Sequence, residues 1–291
     1  MKPEDIAWGP KALGRNGDDG DVKVRWLGTA GFAIEHAGHV VLIDPYLTRA
    51  TLKQVVLSAL RPDVEAIRKH VPRADAIVVG HTHFDHALDV PAIAELTGAR
   101  VLGSKSAATL CLARGVTRDK VEVVEPEPGQ APIEREVGPF RLRFIPSAHS
   151  RLVLGRVPAP GEIADCTDVP MRAEAYRCGA VFGVEIKVAG RTLYHMGSAE
   201  LVDAHVDVKH VDLLMLCVAG WTTSRELPER VGHLLSPGAV LLSHWDDFLR
   251  PLSQPVRVLP AMQLPRIVER LGMSAGGVRI GTLPALGEVW V

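Results

Sequence analysis

Three histidines and an aspartate fall within six consecutive residues, His81-Thr82-His83-Phe84-Asp85-His86, directly after the apolar run Ala76-Ile77-Val78-Val79-Gly80. A short, fully apolar run of this kind is typical of a buried strand. Neutral imidazole and carboxylate are the side chains that zinc and related divalent metals prefer. With the segment extended or turned, His81 and His83 point one way while Asp85 and His86 face a second position. The spacing therefore suits two adjacent metals better than one. A solvated His-rich loop is the competing reading, and it leaves unexplained why the motif ends a buried strand.

Two further histidines occupy similar places. His149 follows the apolar segment RLRFIPSA, and His244 follows AVLLS. Sites in open α/β architectures assemble at strand ends, so both are candidate ligands. His195 adjoins a later strand, where alternation points it away from the site and gives it a structural role. His36, His39, His70, His205, His210 and His233 fall in turns or polar stretches and carry no chemical signal.

The pattern along the chain predicts mixed α/β structure. Val22 to Leu47 reads as strands, with a hairpin turn at Ala37-Gly38. Helix-compatible spacing covers 51–71, 90–97 and 104–114. Strands are expected at 100–103, 121–124, 140–145, 180–188, 192–195, 213–218 and 240–243. Glu226 to Leu235 reads as a helix, with Ser224 as its N-cap. Residues 150–178 hold Pro158, Pro160, Gly161 and Pro170 without a clear period, which predicts a long functional loop. Residues 1–21 are polar and Gly-rich and are expected to form a flexible N-terminal arm. No linker interrupts 22–291, so one domain is expected there, and no internal repeat stands out.

Composition narrows the function classes. The chain has 291 residues, 47% of them hydrophobic and 23% charged, which excludes disorder for its bulk. Its formal net charge of −1 gives no overall basic field to attract nucleic acid, so no nucleic-acid partner is expected. No run is long and apolar enough for a transmembrane helix, and the first residues lack an apolar secretory core. Cys111, Cys166, Cys178 and Cys217 match neither a zinc knuckle nor a disulfide framework. A reduced, cytoplasmic protein is expected. The oligomeric state is open.

HTHFDH, with the upstream LGTAGFAIE and VLIDPYL segments and the downstream His149 and His244, resembles the metallo-β-lactamase fold superfamily. The pattern is similar above all to the branch of ascorbate-6-phosphate lactonases and N-acylphosphatidylethanolamine phospholipase D relatives. The likeness runs from about Val22 to Leu252. It implies an α/β fold, the four-layer αβ/βα sandwich, with metals at one edge of two facing sheets. It also implies that His81, His83 and His149 hold one metal, and that Asp85, His86 and His244 hold the other. Asp44 matches the strand-end Asp that supports the ligands from behind; a turn cap is the alternative.

The sequence departs from the family in one place. A Gly-Asp pair usually supplies a carboxylate that bridges the metals, and here Gly197 is followed by Ser198. A neutral hydroxyl is a poor ligand. One metal is then weakened, or Glu200, Asp246 or Asp247 substitutes, or the site tolerates the extra positive charge and favours anionic substrates. One subclass of true metallo-β-lactamases has Ser near this place and binds two zincs, so the departure does not abolish a dinuclear site. Arg151, Arg156 and Arg172 in the long loop are either anion-binding groups or solvated ones. Trp221 and Trp245 are either pocket walls or core.

The expected activity is metal-dependent hydrolysis of an ester, lactone, amide or phosphodiester of a small molecule or lipid. The cofactors expected are two divalent metal ions, zinc first, with manganese or iron compatible. Such ions bring the pKa of a water to about 7 and polarise the bond it attacks. Asp85 is the candidate catalytic group, holding a metal and accepting the water's proton. The alternatives are a metal-binding but idle sensor or scaffold, and a nuclease, which would need a basic groove that this neutral chain does not announce.

Overall fold

The computed structural model describes residues 1–127, 130–152, 154–164 and 169–291. The first sheet is built from β1 (Lys23–Gly28), β2 (Gly31–His36), β3 (His39–Ile43), β4 (Ala76–Val78), β5 (Arg100–Gly103) and β6 (Val121–Val123). The second comprises β7 (Ile133–Val137), β8 (Phe140–Pro146), β9 (Phe182–Val188), β10 (Arg191–Met196), β11 (Leu213–Cys217), β12 (Ala239–Ser243) and β13 (Arg279–Gly281). The final strand, β14 (Glu288–Trp290), returns to pair antiparallel with β1, giving the orders β14-β1-β2-β3-β4-β5-β6 and β13-β12-β11-β10-β9-β8-β7. Each sheet is mixed: antiparallel hairpins lead into a run of parallel strands. The two halves are thus built alike, although no sequence repeat announces it.

Helices α1 (Leu52–Leu57), α2 (Val64–His70), α3 (Phe84–Ala87), α4 (Val90–Thr97) and α5 (Lys105–Ala113) follow strands of the first sheet. Helices α6 (Leu227–Leu235) and α7 (Leu264–Ser274) belong to the second half. Side chains alternate across a strand, and this sorts the first sheet into two cores. Val24, Phe32, Ile34, Val41, Ile43 and Val78 face the second sheet. Leu27, Ala33, Leu42, Ile77, Val79 and Val101 pack with Ile67, Ile93 and Leu110 of α2, α4 and α5. Leu227, Val231, Ile267 and Leu271 of α6 and α7 close the other side. The result is the αβ/βα sandwich.

Local rules account for much of this. Ala37 and Gly38 have φ of 46° and 79°, the left-handed pair that a two-residue hairpin needs. β11 and β12 are buried at every residue, as parallel strands covered on both faces must be. Ser104 caps α5 by accepting from the Ala107 amide at 3.2 Å. The helical spacing over 51–71 resolves into two helices, because Asp63 caps α2 by accepting from the Ala66 amide at 3.0 Å. Ser224 does not cap α6; its hydroxyl donates to the Ala199 carbonyl, and Glu226 takes the cap position with φ of 49°. β7, β13, β14 and α7 lie outside the expected elements, although Leu264, Ile267, Val268 and Leu271 have helical spacing.

The N-terminal 21 residues differ from expectation. They are docked, not loose. Pro3–Ile6 form a 3-10 turn, the Trp8 amide donates to the Thr282 carbonyl at 2.8 Å, and the Trp290 amide donates to the Pro10 carbonyl at 2.9 Å. The arm pairs with backbone groups of the C-terminal strands, and Trp8 lies over Gly281, where a Cβ would stand 2.1 Å from its indole nitrogen. Asp21 holds the end of the segment by accepting from the amides of Asn16, Gly17 and Asp18.

Candidate metal centre

The segments that carry the site start just beyond the C-terminal ends of strands: Asp44 after β3, His81 after β4, His149 after β8 and His244 after β12. The two sheets meet at this edge. The Phe182 amide donates to the Gly80 carbonyl at 2.9 Å, and the His244 amide donates to the Thr29 carbonyl at 2.7 Å. Extended backbone carries His81 to His83, and α3 then begins at Phe84, so Asp85 and His86 turn to a second position.

The structure brings together His81, His83 and His149, and separately Asp85, His86 and His244, each trio with ligand atoms within 4.8 Å of one another. Asp44, His81 and His86 form a third, overlapping group. His81 Nε2 is 3.1 Å from His83 Nδ1, His244 Nε2 is 3.1 Å from Asp85 Oδ2, and His86 Nε2 is 3.8 Å from the same oxygen.

The outward ring nitrogens explain which atoms face inward. His83 Nε2 donates to the Pro158 carbonyl at 2.8 Å, His149 Nδ1 to the Ser150 carbonyl at 2.7 Å and His86 Nδ1 to Asp44 Oδ2 at 2.9 Å. A carbonyl or carboxylate only accepts, so the proton of each neutral ring sits on its outward nitrogen and the lone pair turns inward. Burial lowers the pKa of His81, His83 and His149, the last to about 4, and keeps these rings neutral near pH 7. For Asp85, burial pushes the carboxyl up, but His86 and His244 outweigh it and hold it well below the usual range. Burial pulls His86 down, and Asp44 and Asp85 more than offset it. Inward lone pairs beside an ionised carboxylate are the donor set a divalent cation takes.

Asp44 is buried beneath this cluster, with φ of 45°. Its Oδ1 accepts from the Gly80 amide at 2.6 Å, and its Oδ2 is occupied by His86. Both flanking glycines are needed: a Cβ on Gly80 would lie 2.8 Å from Asp44 Oδ2, and one on Gly197 would lie 2.6 Å from it. His244 is also left-handed at φ of 57°, as are Thr29 at 53° and Arg49 at 49°. Non-glycine residues in this region are strained and gather at functional sites.

Ser198 is buried and accepts from the Ser150 amide at 3.1 Å, which ties β10 to the loop bearing His149. The carboxylates considered as substitutes are engaged elsewhere. Glu200 pairs with Arg230 at 2.7 Å. Asp246 pairs with Arg49 at 2.5 Å and also accepts from the Thr29 amide at 3.1 Å. Asp246 thus bears on His244 through the Thr29 peptide, whose carbonyl takes the His244 amide. Asp247 Oδ1 accepts from the Leu249 amide at 3.2 Å. His195 donates to the Ala30 carbonyl at 2.8 Å and packs on Phe32, a structural role.

A cavity of about 350 Å³ opens on the cluster and is lined in part by His83, Asp85, His86, His149, Ser198 and His244. Trp221 and Trp245 are core residues and do not line it. Arg172 donates to the Val56 carbonyl at 2.7 Å and to Glu174 at 2.8 Å, on the surface. Arg151 and Arg156 are exposed. Cys178 is buried beside the motif, whereas Cys166 lies outside the described residues.

The family model described as the beta-lactamase superfamily domain matches residues 39–244, a span that contains both trios. This chain belongs to the beta-lactamase superfamily. The superfamily member is similar to a UPF0173 protein of Pyrococcus furiosus, 34% identical over 128 residues that make up 44% of this chain and 50% of that protein. It is 26% identical over 255 residues to a UPF0173 metal-dependent hydrolase of Anaeromyxobacter sp. (strain K), covering 84% of this chain and 82% of that one. Among solved structures, a metallo hydrolase from the archaeon Ignicoccus hospitalis superposes with a TM-score of 0.59 at 20% identity, covering 93% of this chain and 98% of the other. That likeness shows a shared fold.

Sequence reasoning missed Arg49 and the apolar walls of the cavity. Arg49 stands five residues after Asp44 in Asp44-Pro45-Tyr46-Leu47-Thr48-Arg49, and nothing in that spacing shows that its partner is 197 positions away. Phe248, Leu259 and Met262 come from an irregular segment after His244 with no period to read.

Proposed function

We propose that this superfamily member is a metal-dependent hydrolase that directs an activated water at an ester, lactone, amide or phosphodiester. In this reading His81, His83 and His149 hold one divalent ion, and Asp85, His86 and His244 hold the other. Zinc fits the nitrogen-rich donor set, and manganese or iron is compatible with it. What carries the reading is the convergence of two ligand trios on one cavity, with His83, His86 and His149 each fixed in the ligating tautomer by an outward hydrogen bond. The name of the Anaeromyxobacter relative, a metal-dependent hydrolase, points the same way.

When bound, the ions supply Lewis acidity, acidifying a water and polarising the bond it attacks. The chain's own groups do the rest. Asp85 is held ionised by its imidazole neighbours and serves to orient the water and take its proton. Asp44 fixes the His86 ring. The Ser198–Ser150 bond fixes the loop of His149. Ser198 also favours a second reading, a metal-binding but idle relative, because the hydroxyl leaves no carboxylate to bridge two ions.

Metal content by mass spectrometry, on protein purified without chelator or His-tag, is the first test, followed by assay on generic esters, lactones, amides and phosphodiesters. About two ions per chain with turnover supports the proposal. One ion with turnover restricts it to a mononuclear hydrolase. Bound metal without turnover supports the idle reading, and no metal after supplementation overturns both.

A further inference from the structure

We propose that the rim of the cavity mouth is a docking face for an anionic lipid surface, whatever reaction the centre beneath it carries out. Its apolar tips enter the bilayer interface, and its cations meet the headgroups.

Exposed apolar side chains gather around this mouth. Ten large ones are exposed among the described residues, and six of them, Leu52, Val56, Leu57, Leu152, Leu154 and Val258, belong to the segments that surround it. Single apolar residues scattered over a surface are normal, whereas a concentration marks a contact site. In α1, Val55 packs inward, while Leu52, Val56 and Leu57 stay 60%, 55% and 64% exposed. Leu154 is 96% exposed.

The segments form a continuous rim. The Leu60 amide donates to the Met171 carbonyl at 2.7 Å, and Arg172 donates to the Val56 carbonyl at 2.7 Å, so α1 lies against the strip that begins at Met171. That strip meets the next segment where the Cys178 amide donates to the Ala159 carbonyl and the Gly179 amide to the Gly161 carbonyl, both at 2.9 Å. Leu154 shares a surface recess with Pro158 and Ala159. Leu152, Pro158, Ala159, Ala173, Leu259 and Pro260 line the cavity itself, which places the exposed tips around its opening.

Charge decides the occupant. Residues 51–62, 150–178 and 247–260 carry eight lysines and arginines against five acidic residues, in a chain whose formal net charge is −1. Arg172 is offset by Glu174. Arg177 donates to the Pro160 carbonyl, a neutral partner, and Lys53, Arg61, Arg151, Arg156 and Arg257 are exposed. A second copy meeting this face through the same patch would set positive charge against positive charge and cover the mouth. A bilayer surface accepts the mixture. Protruding apolar side chains sink to the boundary of headgroups and acyl chains, while Lys and Arg extend to anionic headgroups.

Co-sedimentation of the full chain with sucrose-loaded vesicles tests the proposal. Phosphatidylcholine vesicles containing about 30% phosphatidylglycerol should bind the protein at least tenfold more tightly than pure phosphatidylcholine. Salt at about 0.5 M should remove most of that gain. Leu154→Ser and the double variant Leu52→Ser/Leu57→Ser should each weaken binding at least fivefold, with the melting temperature unchanged because these side chains are exposed. Met273→Ser, at a side chain 70% exposed on α7 and outside the rim, should leave binding as it is. Equal affinity for the two vesicles, no binding to either, or an equal loss in Met273→Ser overturns the proposal. Sedimentation equilibrium without vesicles tests the rival occupant: self-association that Leu57→Ser abolishes also overturns the proposal and assigns the face to a second copy.

Discussion

Arg49 Nη2 lies 2.5 Å from Asp246 Oδ2, and the two side chains are only 2% and 1% exposed. This buried pair joins the loop after β3 to the segment after His244. It also clasps the Thr29 peptide, whose amide donates to Asp246 and whose carbonyl accepts from the His244 amide. A cation from one half of the fold thus fixes the backbone of a candidate ligand in the other.

Removing either partner leaves an uncompensated buried charge, which costs about 3–5 kcal/mol. Arg49→Met and Asp246→Asn should each destabilise on that scale, and the double variant should lose clearly less than the sum. Urea unfolding of the four proteins measures the coupling. Additive losses would show that the pair does not act as a unit.

Gly197→Ala should be severe, because its Cβ would stand 2.6 Å from Asp44 Oδ2 and dislodge the group that orients His86. A loss of about 1–3 kcal/mol is expected from such overpacking, together with weaker metal retention. Gly272→Ala, in α7 with nothing within 4 Å of the new methyl, should instead stabilise by about 0.5–1 kcal/mol. Thermal melts and metal analysis of the two variants distinguish a local clash from a general intolerance of substitution.

Asp89 gives a pH dependence of definite sign. Burial pushes its carboxyl up from 3.8 to about 6, although the Leu47 and Thr48 amides donate to it at 2.6 and 2.8 Å. The folded state binds this proton more tightly than the unfolded chain. Its contribution to stability is therefore complete below about pH 4 and is lost as pH rises through about 6. The gap between 3.8 and about 6 corresponds to about 3 kcal/mol. Between pH 4 and 7.5 the wild type should lose that much more stability than Asp89→Asn, read from urea midpoints at each pH. Parallel pH profiles would sink this assignment.

Two thiols near the site should be inert. Burial pushes Cys178 up to about 12 and Cys217 higher still. At pH 8 the thiolate of Cys178 is about one part in ten thousand, so alkylation of the folded protein should be very slow. Peptide mapping after iodoacetamide treatment tests this. Fast labelling of either cysteine in the native state would show that the site edge opens readily.

Elements with a local cause are legible in the chain. The apolar run before His81 announces a buried strand, Ala37-Gly38 announces the tight hairpin, and the spacing of His81, His83, Asp85 and His86 separates two positions because backbone geometry over six residues is local. His149 and His244 were legible for the same reason, each ending an apolar run. The folded structure was needed for whatever depends on distant chain segments. It docked the polar N-terminal arm, because the C-terminal strands offered backbone groups to pair. It withdrew Glu200 and Asp246 from the cluster, because Arg230 and Arg49 reach them first. It also assembled apolar walls from Leu152, Ala219, Phe248 and Met262, residues whose chain spacing follows no period. A cavity is the space left between segments, and no short-range pattern records which segments will meet around it.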